Sequence, residues 1–334
     1  MTSPKARPGQ DAPKAGVGTT RGHDVVTGAF GYTGRYIAQQ LLAQGRQVTT
    51  LTGRTDRQSP FGDQVRALPF NFDDPGTLAK SLEGVDTLYN TYWIRFSRRG
   101  MSHDTAVRNS RTLLKAAQDA GVRRVVHISI TGAASAPSLP YFRGKTQVEE
   151  EVRALRLSYA IIRPALVFGR EDILINNIAW LLRRLPVFVV PGSGEYRVQP
   201  VYVGDLAGMA VALGQRADNV VTDAVGPETY TFNELLGLLA ASLGARPRIV
   251  HASPAVALLL ARAVGLFTRD VLITPDEVAG LSAGLLVSQE PPACATSFSA
   301  WLTQNAGWLG SAYASELARH YRHKVPSPGG RGRG

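Results

Sequence analysis

From residue 23 onward, short runs rich in β-branched residues alternate with longer segments whose apolar positions recur three and four residues apart. The short runs are "DVVTG" at 24–28, "QVTTLT" at 47–52, "VRALPF" at 65–70, "DTLYNT" at 86–91, "RVVHISI" at 124–130 and "SYAIIRP" at 158–164. Helical periodicity covers 33–44, 75–83, 104–120 and 144–155. Near-continuous apolar strands separated by helices need cover on both faces. The alternation therefore predicts an α/β fold, a doubly wound parallel sheet with its ligand crevice at the carboxyl ends of the strands.

After residue 165 the rhythm changes, and prolines at 186, 191, 200, 227, 247, 254 and 275 divide the chain into shorter pieces. The stretch "YRVQPVYVGDLAGMAVAL" at 196–213 reads as a strand, a turn and a helix that return to the sheet. The expected division is a sheet domain over 23–165, rejoined by 196–225, and a smaller, mostly helical cap from 166–195 and 226–318 that selects the substrate. The longest apolar run, "PAVALLLARAVGLF" at 254–267, is interrupted by Arg262 and too short to cross a bilayer. It reads as a buried helix, with membrane-surface contact as the alternative.

Composition changes this picture little. A chain of 334 residues with 44% hydrophobic content holds one large core or two modest ones. The net charge of +11 suggests an anionic partner, but the termini supply about +7 of it through Lys5, Arg7, Lys14, Arg21, Arg322, Lys324, Arg331 and Arg333. Both tails, 1–22 and 319–334, are rich in small residues, Gly and Pro, and are expected to be disordered. Aromatic residues do not interleave with a basic patch, which argues against specific nucleic-acid recognition. One cysteine, Cys294, excludes an internal disulfide, and no histidine spacing suggests a metal. With no apolar leader at the N-terminus, the cytoplasm is the expected location.

The chemistry is concentrated in "VVTGAFGYTGR" at 25–35, where Gly28, Gly31 and Gly34 recur every third residue at the first strand–helix junction. One glycine permits the turn, the next admits backbone N–H groups to a pyrophosphate, and the last lets helix and strand pack closely. The loop Gly28–Arg35, with Phe30, Tyr32 and Thr33, is thus the candidate dinucleotide site of a Rossmann sheet. The second strand runs out into "LTGRTDR" with no acid in the position that would bond a free ribose. Arg35 and Arg54 instead favour a 2′-phosphate, so NADP(H) over NAD(H).

Further motifs follow in order: "NFDDPGTL", "AVRNSRTLLKAAQDAGVRRVVHIS", "YFRGK", "IIRPALVFG" and "YRVQPVYVGDLA". Over residues 23–230 the chain resembles the extended or atypical branch of the short-chain dehydrogenase/reductase superfamily. It is similar to NmrA-like proteins, to NAD-dependent epimerase/dehydratase-like enzymes and to the nucleotide-binding accessory subunit of respiratory complex I. Tyr141 and Lys145 stand four apart, on one face of a helix. The resemblance implies that Tyr141 exchanges a proton with a substrate oxygen while Lys145 binds the nicotinamide ribose. It implies that Ser129, or Thr131, holds the carbonyl and that Asn109 orders the active-site helix. It also implies that Pro164 and Ala165 back the nicotinamide and that Asn71 and Phe72 receive adenine.

Two departures leave a second reading open. The loop "YNTYWIRFSRRG" is bulky and basic where small residues are usual, and its Arg95, Arg98 and Arg99 read as a solvated loop, with an acidic substrate group as the alternative. The segment from Ser129 to Tyr141 is short. The sequence thus supports an NADP(H)-dependent oxidoreductase or epimerase acting on an unidentified small molecule, or a non-catalytic cofactor-binding regulatory or assembly protein. Oligomeric state stays open.

Overall fold

The computed structural model describes residues 22–98 and 100–320; most of both tails, and Arg99, lie outside the described residues. Strands β1 (His23–Thr27), β2 (Gln47–Thr52), β3 (Val65–Pro69), β4 (Thr87–Asn90), β5 (Arg124–Ile128) and β6 (Ser158–Pro164) fall within two residues of the apolar runs. Between them lie helices α1 (Thr33–Ala43), α2 (Pro75–Lys80), α3 (His103–Asp119) and α4 (Pro140–Ala154). Helix α4 starts four residues earlier than periodicity suggests. Pro140 occupies its first turn, where a missing N–H costs nothing. Tyr141 therefore stands at the head of the helix.

The next segment contains β7 (Leu166–Phe168), α5 (Leu174–Arg184), β8 (Val187–Pro191), β9 (Arg197–Val198), β10 (Pro200–Tyr202), α6 (Val203–Gly214) and β11 (Val220–Ala224). The last holds β12 (Tyr230–Thr231), α7 (Phe232–Leu243), β13 (Arg248–Ala252), α8 (Pro254–Thr268), α9 (Pro275–Ser282), α10 (Phe298–Asn305) and α11 (Glu316–His320). The central sheet has seven parallel strands in the order β11-β6-β5-β4-β1-β2-β3. The order reverses between β1 and β4, so the ligand crevice opens there.

Alternating side chains divide the sheet residues between two cores. Val26, Val126 and Ile162 pack with Ile37, Leu41 and Leu206 beneath α1 and α6. Val25, Val125 and Ile161 pack with Leu113, Leu114 and Val148 under α3 and α4. A third cluster, including Phe168, Leu182, Leu235 and Phe298, holds the C-terminal elements together.

Three expectations are corrected. Within 196–213, β10 pairs with β7 and β9 with β12, so the return to the sheet is made by α6 and by β11. Residue 319 is not in a disordered tail, because α11 folds back through Glu316 and Leu317, whose N–H groups both donate to the Asp270 carboxylate. Helix α8 is not buried, since Ala257 and Gly265 are its only buried residues. No helix among the described residues is long and apolar enough to cross a membrane.

Candidate functional site

At the end of β1, Gly28 takes φ +66°, a conformation that L side chains rarely adopt. Its carbonyl accepts from the Gly31 N–H at 2.8 Å. A Cβ on Gly34 would lie 2.5 Å from the Gly28 oxygen, so only glycine lets α1 approach the strand this closely. Tyr32, the N-cap of α1, makes no side-chain cap and the first turn carries no acid. The helix's leading N–H groups are left facing the crevice, and this cradle fits a dinucleotide pyrophosphate. Beneath it the Thr91 N–H donates to Thr27 Oγ1 at 2.7 Å, tying β4 to β1 across the crevice. Thr33 opens α1. The Phe30 side chain is buried in the core under the loop, so it supports the backbone and does not reach a ligand.

Past β2, the arginines gather around one point. Arg35 pairs with Glu171 at 3.5 Å, and the guanidinium of Arg319 donates to the Glu171 carbonyl at 2.6 Å. Arg54 in turn donates to the Arg319 carbonyl at 3.4 Å. Arg57, which the sequence reading passed over, belongs to the same group. Burial, then Arg54, Arg35 and Arg319, lower its pKa from the usual guanidinium value. Such crowding of like charges is relieved by an anion. Asn71 sits at φ +46° after β3, and its carbonyl accepts from the Asp74 N–H. Phe72 stacks on Phe70 at 4.7 Å and leans on Tyr92 at 5.2 Å.

On the far side of Tyr32 lies a cavity of about 350 Å³ that also touches Tyr141, Ala165, Asp172, Arg95 and Arg319. Tyr141 stands against Trp93 and His103, with ring centroids at 5.9 and 5.7 Å. Burial, then Glu277, pushes its phenol well above the usual range, so it keeps its proton. The Tyr32 hydroxyl is buried with no hydrogen-bond partner among the described residues and is in the cavity wall. Burial also raises the Asp172 carboxyl to about 6. Arg95 is not solvated: it binds Glu277 bidentately and lies 3.6 Å from Glu316, so its charge is already matched inside the protein.

The other expected residues are not gathered around Tyr141. Ser129 donates to Glu149 at 2.6 Å, and Thr131 donates to the Leu285 carbonyl at 2.9 Å. Neither lines the cavity; Ile130 between them does. Lys145 is buried, donates to the Ile128 carbonyl at 2.9 Å and lies 4.8 Å from the Trp93 ring. Burial lowers its pKa to about 7. Asn109 donates to the Tyr92 hydroxyl at 2.8 Å, which ties α3 to the loop leaving β4. Pro164 ends β6, and its carbonyl accepts from the Thr131 N–H. Trp93, Asp172, Glu277 and Arg319 were missed because they come from loops and cap elements that no local motif marks.

A family profile described as NAD(P)H-binding matches residues 28–172. Subunit 9 of the NADH dehydrogenase [ubiquinone] 1 alpha subcomplex from Arabidopsis thaliana is 27% identical over 67% of this chain and 59% of its own length. The Mus musculus counterpart is 31% identical over 54% of this chain and 50% of its own length. The chain thus spans about half of these curated relatives. A ceramide reductase from Caulobacter vibrioides is 28% identical over 69% of this chain and 74% of its own. Among solved structures, an NADPH-dependent quinone oxidoreductase from Escherichia coli superposes with TM-score 0.68 at 20% identity, covering 86% of this chain and 99% of that one.

Proposed function

We propose, from the premise that the chain is an extended, NmrA-like member of the short-chain dehydrogenase/reductase superfamily, that it is an NADP(H)-dependent oxidoreductase for a largely apolar carbonyl or hydroxyl compound. One observation carries the reading: a single cavity touches the glycine loop at Tyr32 and the phenol-bearing Tyr141, with Leu166, Ile173 and Leu281 in its walls. In this reading the start of α1 holds the pyrophosphate. Arg54 and Arg57, with Arg35 and Arg319 beside them, hold the 2′-phosphate. The bound dinucleotide supplies or accepts the hydride. Tyr141, proton retained, gives that proton to the substrate oxygen as the carbonyl is reduced and recovers one from solvent. Lys145 is a positioning residue here, fixing the head of α4 to the end of β5. An epimerase or dehydratase would use the same groups with no net consumption of cofactor.

A specific observation favours the second reading, a cofactor-binding regulatory or assembly protein without turnover. The Ser129 and Thr131 hydroxyls, just past β5, are both committed away from the cavity, so neither holds a carbonyl there. The two readings separate in one experiment: NADPH consumption and product formation with a panel of apolar ketones, aldehydes and quinones, on wild type and Tyr141→Phe. Oxidoreductase function predicts turnover in wild type and a loss of about 100-fold or more in kcat for Tyr141→Phe, with NADPH affinity kept. Tight NADPH binding with no turnover by wild type on any substrate overturns it in favour of the second.

A further inference from the structure

Helix α8 presents its residues in the reverse of the order that burial in water favours. Its inner side is made of Ala257, Leu258, Ala261, Val264 and Gly265, while Leu259, Leu266 and Phe267 are 65%, 83% and 85% exposed. Val256 and Leu260 are exposed beside them. At its C-terminal end the chain turns back on the helix: the Asp270 N–H donates to the Gly265 carbonyl, and a Cβ on Gly265 would lie 2.7 Å from the Asp270 carbonyl oxygen. The helix rests on β8, where Val187 is also exposed, as is Leu185 two residues before it.

Between Glu234 and the buried Asp270, the charges this stretch of chain carries have one sign. From residue 235 to residue 269 the chain contains Arg246, Arg248, Arg262 and Arg269 and no acid. Arg262 lies between Leu259 and Leu266 on the helix, and Arg269 caps its end beside Phe267. Both are exposed and make no ion pair among the described residues. A convex apolar ridge flanked by long cationic side chains has the make-up of a helix lying in the plane of a lipid interface. The charge selects for an anionic surface. The helix leads through Asp270 and Leu272 to Ile273, in the cavity wall.

We propose that α8 seats the protein on a bilayer containing anionic lipids. Leu259, Leu260, Leu266 and Phe267 enter the acyl boundary, and Arg262 and Arg269 meet lipid phosphates. This stands whether or not the cavity turns over a substrate. The test is co-sedimentation of the full chain with phosphatidylcholine–phosphatidylglycerol vesicles and with pure phosphatidylcholine, alongside sedimentation velocity without lipid. Wild type should bind the anionic vesicles preferentially. Leu266→Glu with Phe267→Glu should weaken binding about tenfold or more, and Leu259→Gln should do so to a smaller degree. Arg262→Ala with Arg269→Ala should reduce the salt dependence. Absence of wild-type binding overturns the proposal. So does binding that the apolar substitutions leave unchanged, which would place it in the basic tails. A wild-type dimer that Leu266→Glu with Phe267→Glu makes monomeric, without vesicle binding, would assign the ridge to a second copy.

Discussion

Arg54 and Arg57 stand three positions apart just beyond β2, with Asp56 between them, and two guanidinium groups in that place suit a nucleotide 2′-phosphate. Substituting either by alanine should weaken NADPH about tenfold, the worth of one charge-assisted hydrogen bond, and leave NADH nearly unchanged. Calorimetric titration with both cofactors reads this directly. Buried His127 is a second single-residue test. Burial, then Lys145, lowers its pKa from 6.5 to about 3. Between those values the unfolded chain binds a proton that the folded chain refuses. Its contribution is therefore complete above about pH 6.5 and declines as the pH falls toward 3. Urea unfolding near pH 7 and pH 4 should show wild type losing about 3 kcal/mol more than His127→Gln over that interval.

The junction of β1 with α1 depends on one missing methyl group. Gly34→Ala places a carbon 2.5 Å from the Gly28 carbonyl oxygen, and backbone cannot yield as a flexible side chain would. The helix must move off the strand, which opens the cradle. Expected outcomes are a loss of about 1–3 kcal/mol in chemical denaturation and loss of NADPH binding by the folded variant. Helix α4 shows how a start signal places side chains. Pro140 begins the helix early enough to put Tyr141 in its first turn and Lys145 one turn further in.

Across the molecule, the sheet and the C-terminal elements are joined at Arg95. It comes from the loop after β4, yet binds Glu277 of α9, lies 3.6 Å from Glu316 of α11 and donates to the Leu272 carbonyl. Removing one partner of a largely buried ion pair leaves carboxylates without compensation. Arg95→Ala should therefore cost about 3 kcal/mol of unfolding free energy, measured by denaturant titration. Because Arg95, Glu277, Glu316 and Arg319 all line the cavity, the same change should disturb substrate binding before it disturbs the glycine loop.

What could be read along the chain was local. Apolar periodicity located the six strands and the helices between them, and the spacing of Gly28, Gly31 and Gly34 marked the tight turn that brings α1 against β1. The arginine in place of an acid after β2 was equally visible, because each of these patterns lies within a few consecutive residues. Where side chains point required the assembled fold. At the end of β5 a single step in strand alternation turns Ile130 to the cavity and commits Ser129 and Thr131 elsewhere. Helix α8 carries apolar residues on every side, so periodicity could not orient it. Its packing against β8 and the turn that follows it decide which side faces inward. Arg319 and Glu277 reach the site over distances that no sequence spacing records, since they are carried there by the packing of the cap.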